Sequence, residues 1–247
     1  MSEGASSTTS RLTALVVTAE HGGNRVPRPY RDLFRDAGPL LGSHRGWDPG
    51  SLDLARRIAD RLDAPLVSST VTRLLVDLNR SAHNPRVFSE ITRRLDRPDR
   101  HELLRRWHRP HWGAAERAVA DALAGADRVV HLAIHTFTPE LGGVVRRPDI
   151  ALLYDPRRDG ERGLAARWVR LLRERVRQGA RDRVVARNDP YRGTADGLTT
   201  ALRRVHPDPA YVGIEIEVNQ RHLGAGGRFP SWVADALSGT VRSALEG

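Results

Sequence analysis

The chain has 247 residues, a formal net charge of +10 and no cysteine. That length suits one α/β domain, and 39% apolar residues suffice for one core. Without cysteine there are no disulfides or thiolate metal ligands, so any metal must be held by His, Asp, Glu or water. No run of about 18 apolar residues is available for a transmembrane helix.

All 40 cationic side chains are arginine. They are spread through 56–61, 93–109 and 162–181 and mostly alternate with Asp or Glu on helical stretches. That is the pattern of solvated faces, not of one aromatic-flanked patch for nucleic acid. A non-catalytic, basic nucleic-acid-binding protein is therefore the remote reading. An arginine-rich site would suit an anionic carboxylate substrate. Residues 1–10 are small and polar and lack an apolar h-region, so a disordered tail is expected there ahead of one domain over 11–247. A cytoplasmic location fits these features.

In chain order, 12–19 reads as the first strand, and His21-Gly22-Gly23 as a tight turn where glycine permits close approach to a ligand. Pro27 and Pro29 punctuate the next loop, and 31–37 reads as a short helix. Asp48-Pro49-Gly50-Ser51 turns into a helix carrying Leu52, Ala55, Ile58, Ala59 and Leu62 at helical spacing. Residues 65–69 form a short strand, and 72–78 are another apolar-rich run, ending at Asn79-Arg80. Residues 99–124 read as a long helical region with a break near Pro110. A buried strand over 128–134 and a short one over 150–154 come next. The helix after them, 163–178, sets Leu164, Trp168, Leu171, Leu172 and Val176 along one side. A short strand at 184–186, a loop at 189–193, a helix at 197–205, a strand at 211–218 and a helix at 230–245 close the chain. This alternation predicts an α/β fold: a single domain with a mostly parallel, mixed sheet flanked by helices.

Open α/β sheets place their chemistry at the carboxyl ends of strands. His21 and His135 stand at two such ends, where neutral imidazoles can hold Zn²⁺. His131 shares the strand face of His135 at a different depth, and the strand end favours His135. A catalytic zinc site takes three protein ligands and keeps one position open. Asp48 is the first choice for the third ligand; Glu20, Asn24 and His44 are rivals, and a helix N-cap is the other reading of Asp48. Glu215 and Glu217 share one face of their strand. A carboxylate inside an apolar strand is costly unless it is paired or used. Glu215 is the candidate general base for an attacking water; a salt bridge to an arginine is the structural alternative. In Val76-Asp77-Leu78-Asn79-Arg80, Arg80 can grip a carboxylate through two parallel hydrogen bonds and Asn79 can donate beside it. Asp77 can orient that arginine or support a histidine. Arg192 is a further anion-binding candidate.

Together these segments resemble the N-formylglutamate amidohydrolase family. The residues that carry the resemblance are Glu20-His21-Gly22-Gly23-Asn24-Arg25-Val26-Pro27, Asp48, Arg73-Leu-Leu-Val-Asp77-Leu-Asn79-Arg80, His135-Thr-Phe-Thr-Pro139, Asn188-Asp-Pro-Tyr191-Arg192-Gly, Asp196-Gly197 and Gly213-Ile-Glu215-Ile. The family is in turn similar to zinc carboxypeptidases and aspartoacylases, which implies a zinc-carboxypeptidase-like, phosphorylase/hydrolase-like fold. The carboxypeptidase pattern has an acidic ligand three residues after its first histidine; here that position is Asn24, and Asp48 takes its place as the candidate. The family often has arginine two residues after its strand glutamate; here it is Glu217.

The resemblance implies a zinc-dependent amidohydrolase that cleaves an N-formyl or other small N-acyl amino acid such as N-formylglutamate. Zn²⁺, or another divalent metal, would sit on His21, Asp48 and His135, with Glu215 as base. Asn79, Arg80 and Arg192 would hold the substrate carboxylate, with Asp77 supporting the site. The expected partner is a small anionic N-acyl amino acid, with neither nucleic acid nor membrane. A second reading keeps the metal and makes the chain a deacylase or carboxypeptidase acting on other N-acyl amino acids or small peptides.

Overall fold

The computed structural model describes residues 12–246. The tail expected over 1–10 lies outside the described residues. The strands are β1 (Thr13–Ala19), β2 (Leu66–Ser68), β3 (Arg128–Phe137), β4 (Glu140–Leu141), β5 (Val144–Val145), β6 (Ile150–Leu153), β7 (Val185–Arg187) and β8 (Tyr211–Asn219). The helices are α1 (Gly38–Gly42), α2 (Ser51–Leu62), α3 (Arg97–Leu103), α4 (Arg109–Ala124), α5 (Asp159–Gly179), α6 (Leu198–Val205) and α7 (Ser231–Glu246). A π-turn, Leu104–His108, joins α3 to α4.

Six strands form the main sheet in the order β2-β1-β3-β8-β6-β7. β1 pairs in parallel with β2 and β3, and β3 with β8. β6 runs antiparallel to β8 and parallel to β7, so the sheet is mixed and mostly parallel, as the alternation predicts. The nearly unbroken apolar runs of β3 and β8 suit strands buried on both faces. On one face Val17, Val130, Leu132, Ile134, Ile214 and Ile216 pack against α2, α5 and α7, with Trp168 of α5 fully buried among them. Each such side chain contributes about 1.5–3 kcal/mol through burial. On the other face Val16, Val129 and Tyr211 meet Ala115 and Val119 of α4 and Leu198 and Leu202 of α6.

The chain leaves β1 toward β2 on one side, and the sheet continues to β3 on the other. A crevice opens at such a switch point, beyond the carboxyl ends of the strands. His21 comes just after the end of β1 and His135 lies near the end of β3, so both imidazoles reach that crevice.

Three local expectations change. The short helix near 31–37 is a 3₁₀ turn, Arg28–Phe34, entered through Pro27 and Pro29. The apolar run over 72–78 adds no strand to the sheet and folds as successive turns, with Val71 in a single bridge to Arg25. Leu74, Leu75, Val76 and Leu78 instead fill a separate cluster with Phe34, Val87, Leu103 and Leu104. Near Pro110 the helix widens rather than breaks: Arg109 N–H bonds the carbonyl of Leu104, five residues back.

Candidate active site

Loop geometry fixes the site before any side chain enters it. Asp48 N–H donates to the His21 carbonyl (3.0 Å), and Thr136 Oγ1 donates to the Pro49 carbonyl (2.9 Å). These bonds tie the loop bearing Asp48 to the ends of β1 and β3. Gly50 turns that loop at φ 80°, where an added Cβ would strike Leu223 and Phe229. The turn at Gly22 and Gly23 makes room for the chain itself and not for a ligand. Their missing Cβ atoms admit the backbone of Ser69 and Thr70, at 2.8 and 2.7 Å from the carbonyl oxygens.

His21, Asp48 and His135 converge, all buried, with one ligand atom from each lying within 4.8 Å of the others. Asp48 Oδ2 stands 3.0 Å from His135 Nδ1 and 3.4 Å from His21 Nδ1. Each imidazole turns its other nitrogen to a second carboxylate. His21 Nε2 lies 2.8 Å from Asp77 Oδ1, and His135 Nε2 lies 3.1 Å from Glu20 Oε2. For His21 this is how metal-binding histidines are oriented: one nitrogen faces the ion while the opposite N–H donates to a carboxylate, here Asp77. His21 Nδ1 is buried and lacks a hydrogen-bond partner, as an atom reserved for a ligand would be. The nitrogen, nitrogen and oxygen donor set fits Zn²⁺ and also suits other divalent metals.

The electrostatics arise from burial. Burial alone would raise the carboxylates, but His21, His135 and Arg73 hold Asp48 far below its ordinary range. Arg73 and His21 do the same for Asp77. Glu20 is also held low against its burial, by His111 and His135. His135 is raised despite burial, by Asp48 and Glu20. Arg73, in sequence only one member of a motif, bridges the site: NH1 is 3.3 Å from Asp48 Oδ1 and NH2 is 2.9 Å from Asp77 Oδ2. Its i, i+4 spacing to Asp77 is the signal that reading 72–78 only as an apolar run passes over.

The rivals for the third ligand lie elsewhere. Asn24 is exposed and donates to the Leu41 carbonyl (3.0 Å). Glu20 stands behind His135, and His44 lines the cleft without joining the cluster. His131 is a core residue wedged between Thr18 Oγ1 (2.8 Å) and the Tyr211 hydroxyl (2.7 Å), and burial pushes it down to about 4.

A cleft of about 570 Å³ opens over this cluster. Asn79, Arg80, Arg192, Glu215 and Glu217 all line it, with Asp77 at its base. Asn79 Oδ1 accepts from Leu198 N–H (2.9 Å), which leaves its amide nitrogen facing His135 Nε2 at 3.3 Å. Arg80 NH1 donates to the Asp196 carbonyl (2.8 Å), and Arg192 is exposed at the rim. The two glutamates differ. Glu215 accepts a hydrogen bond from Thr199 Oγ1. Glu217 pairs in register with His135, is buried, and keeps Oε2 without a partner. Burial, with Asp48 and Glu215 nearby, outweighs the attraction of His135 and pushes Glu217 up to about 8.

A gene product of Agrobacterium tumefaciens shares 25% identity and superposes with a TM-score of 0.74 over 94% of this chain and 90% of its own. N-formylglutamate amidohydrolase from Ralstonia eutropha JMP134, 20% identical, has the same fold, with a TM-score of 0.67 over 96% of this chain and 94% of its own. No curated protein matches the chain. The family model of N-formylglutamate amidohydrolase matches residues 13–223, a span that holds the whole cluster, and the chain belongs to that family.

Proposed function

We propose that the protein is a metal-dependent amidohydrolase acting on an N-formyl or other small N-acyl amino acid, with N-formylglutamate as the leading substrate. The observation that carries this reading is the buried convergence of His21, Asp48 and His135 at the floor of the cleft, in a chain of this family. When bound there, a divalent ion such as Zn²⁺ acidifies a water and polarises the amide carbonyl. The chain's own residues do the rest. Asn79 and Arg80, with Arg192 at the rim, hold the substrate carboxylate and so set the amide over the cluster.

Proton transfer falls to the β8 glutamates, which take the proton of the attacking water and return it to the leaving amine. Glu215 is the base expected from the motif. The unpartnered oxygen of Glu217, and its place opposite His135, favour Glu217 for that step. Glu215→Gln and Glu217→Gln separate the two. The variant that removes the base loses about 10²–10⁴ in kcat and keeps its metal. If both variants turn over normally, neither glutamate is the base.

One observation supports a second substrate class. The cleft is large enough for a drug-sized ligand and extends to Arg86, Phe88 and Arg93. N-acyl dipeptides with an acidic second residue would use that space. A kcat/KM for them above that for N-formylglutamate would move the assignment to a deacylase of longer substrates.

A further inference from the structure

The anchor segment, residues 77–80, has no strand neighbour, so its buried carbonyls must find donors outside a ladder. Two side chains of the α3–α4 helical rod supply them. His108 Nε2 lies 2.7 Å from the Arg80 carbonyl, which can only accept, so Nε2 carries the proton. Trp112 Nε1 donates to the Leu78 carbonyl at 2.7 Å. The two rings stack, with centroids 4.7 Å apart and planes 27° apart, and His108 is only 3% exposed.

The π-turn Leu104–His108 explains why this pair faces the anchor. Pro110 has no N–H for the Arg106 carbonyl, so the α-helical ladder is already interrupted there. The wider turn inserts one residue and rotates α4 relative to α3. At its start, Leu103 and Leu104 bury into the cluster with Leu74, Leu75 and Val76. After it, Ala115 and Val119 bury against the sheet. His108 and Trp112, one α-turn apart, fall at the boundary between these faces, beside residues 78–80. From the opposite side, Leu198 N–H bonds Asn79 Oδ1, and Asp196 Oδ2 accepts from Ser81 N–H (3.0 Å) and Asn84 Nδ2 (2.6 Å). The segment is gripped from both sides, and the side chains that reach the carbonyls of residues 78 and 80 come from the π-turn and α4.

We propose that His108 and Trp112 are positioning residues for the substrate anchor: set by the π-turn, they fix the backbone of residues 78–80 and so aim Asn79 and Arg80 into the cleft. This rests on Arg80 holding the substrate carboxylate.

The test compares His108→Ala, His108→Gln, Trp112→Phe and Arg80→Ala in the full-length, zinc-loaded protein. Calorimetry gives the Kd for glutamate, and kinetics give kcat/KM for N-formylglutamate and for its uncharged diamide. Losing one donor to a buried carbonyl should weaken glutamate binding about tenfold in His108→Ala and lower kcat/KM for the anionic substrate alike. Turnover at saturation and kcat/KM for the diamide stay within about twofold, and glutamine, which restores an N–H near the Nε2 position, recovers binding. Trp112→Phe keeps the ring, removes the donor and shows the same selectivity, so the test survives if the alanine variant fails to fold.

Wild-type affinity in His108→Ala and Trp112→Phe, beside a loss in Arg80→Ala, overturns this inference and leaves the anchor standing. Equal losses for the anionic and uncharged substrates, or no recovery with glutamine, make the pair merely structural and also overturn it. Wild-type affinity in Arg80→Ala removes the anchor itself.

Discussion

At the floor of the cleft, carboxylates from Glu20, Asp48 and Asp77 surround two imidazoles, and Arg73 answers two of those three acids. A planar guanidinium can bridge two carboxylates in fixed geometry; an ammonium cannot. Arg73→Ala is therefore expected to weaken metal affinity about 10–100-fold, the usual cost of losing a group that orients metal ligands, and Arg73→Lys to recover little of it. Competition with a chromophoric chelator measures this, and unchanged affinity would show that Asp48 and Asp77 hold their places unaided.

The same residues show what sequence can convey. His21, His135 and Glu215 are legible because each ends or interrupts an apolar run, where a polar group needs a reason. Asp48 is legible only as one choice among four, because its approach to His21 depends on a loop contact and not on spacing. Arg73 and Glu20 are hidden in their roles: each acts on a residue already chosen, across a turn or behind a ring, and linear order records neither. Glu217 is visible but ranks second, since alternation places both glutamates on one face and says nothing of Thr199, which engages only Glu215.

Among the elements, β3 and β8 carry His135, Glu215 and Glu217, and their apolar face holds them in place. Ile134→Ala, one residue before His135 and fully buried, should cost about 2–5 kcal/mol in denaturant unfolding. A loss below about 1 kcal/mol would mean that the core around β3 collapses to fill the space. The far end of the sheet has a pH-dependent tie. Asp149 accepts from Val184 N–H (2.6 Å) and lies 2.9 Å from Arg221 Nε and 2.5 Å from His222 Nε2, joining β6, β7 and the turn after β8. Burial opposes ionisation, but His222, Val184 N–H and Arg221 together hold Asp149 below the ordinary value of 3.8. A carboxylate lowered on folding stabilises fully above its unfolded pKa, and that contribution fades as pH falls through the folded value. Asp149→Asn should therefore be less stable than wild type at pH 7, with the difference shrinking below about pH 4. A constant difference from pH 7 to 2 would rule out this linkage.

Element boundaries track periodicity where strands and helices bury a regular face. They fail over 72–78, whose leucines are apolar because they fill a side cluster, not a sheet. They are half right at Pro110, where the sequence signals an interrupted ladder but not whether the helix ends or widens.

The whole molecule divides its tasks between faces. α2, α5 and α7 seal one side of the sheet, while α4 and α6 cover the other and carry groups that face the cleft's machinery. His21 and His135 meet because β1 and β3 are neighbours at the point where the chain changes direction across the sheet. Alternating strands and helices announce the fold class, but strand order is set by long crossovers, and residues 69–127 separate β2 from β3 with no strand in the main sheet. No helix among the described residues is long and apolar enough to cross a membrane.

The central claim is that this crevice binds a metal and hydrolyses an amide. It is tested most directly by measuring metal content and N-formylglutamate hydrolysis on the same untagged protein, before and after chelation and after Zn²⁺ is restored. The account predicts about one divalent ion per chain, turnover lost on chelation and regained with Zn²⁺, and loss of both metal and turnover in His21→Ala. Turnover that survives chelation in metal-free protein would contradict it.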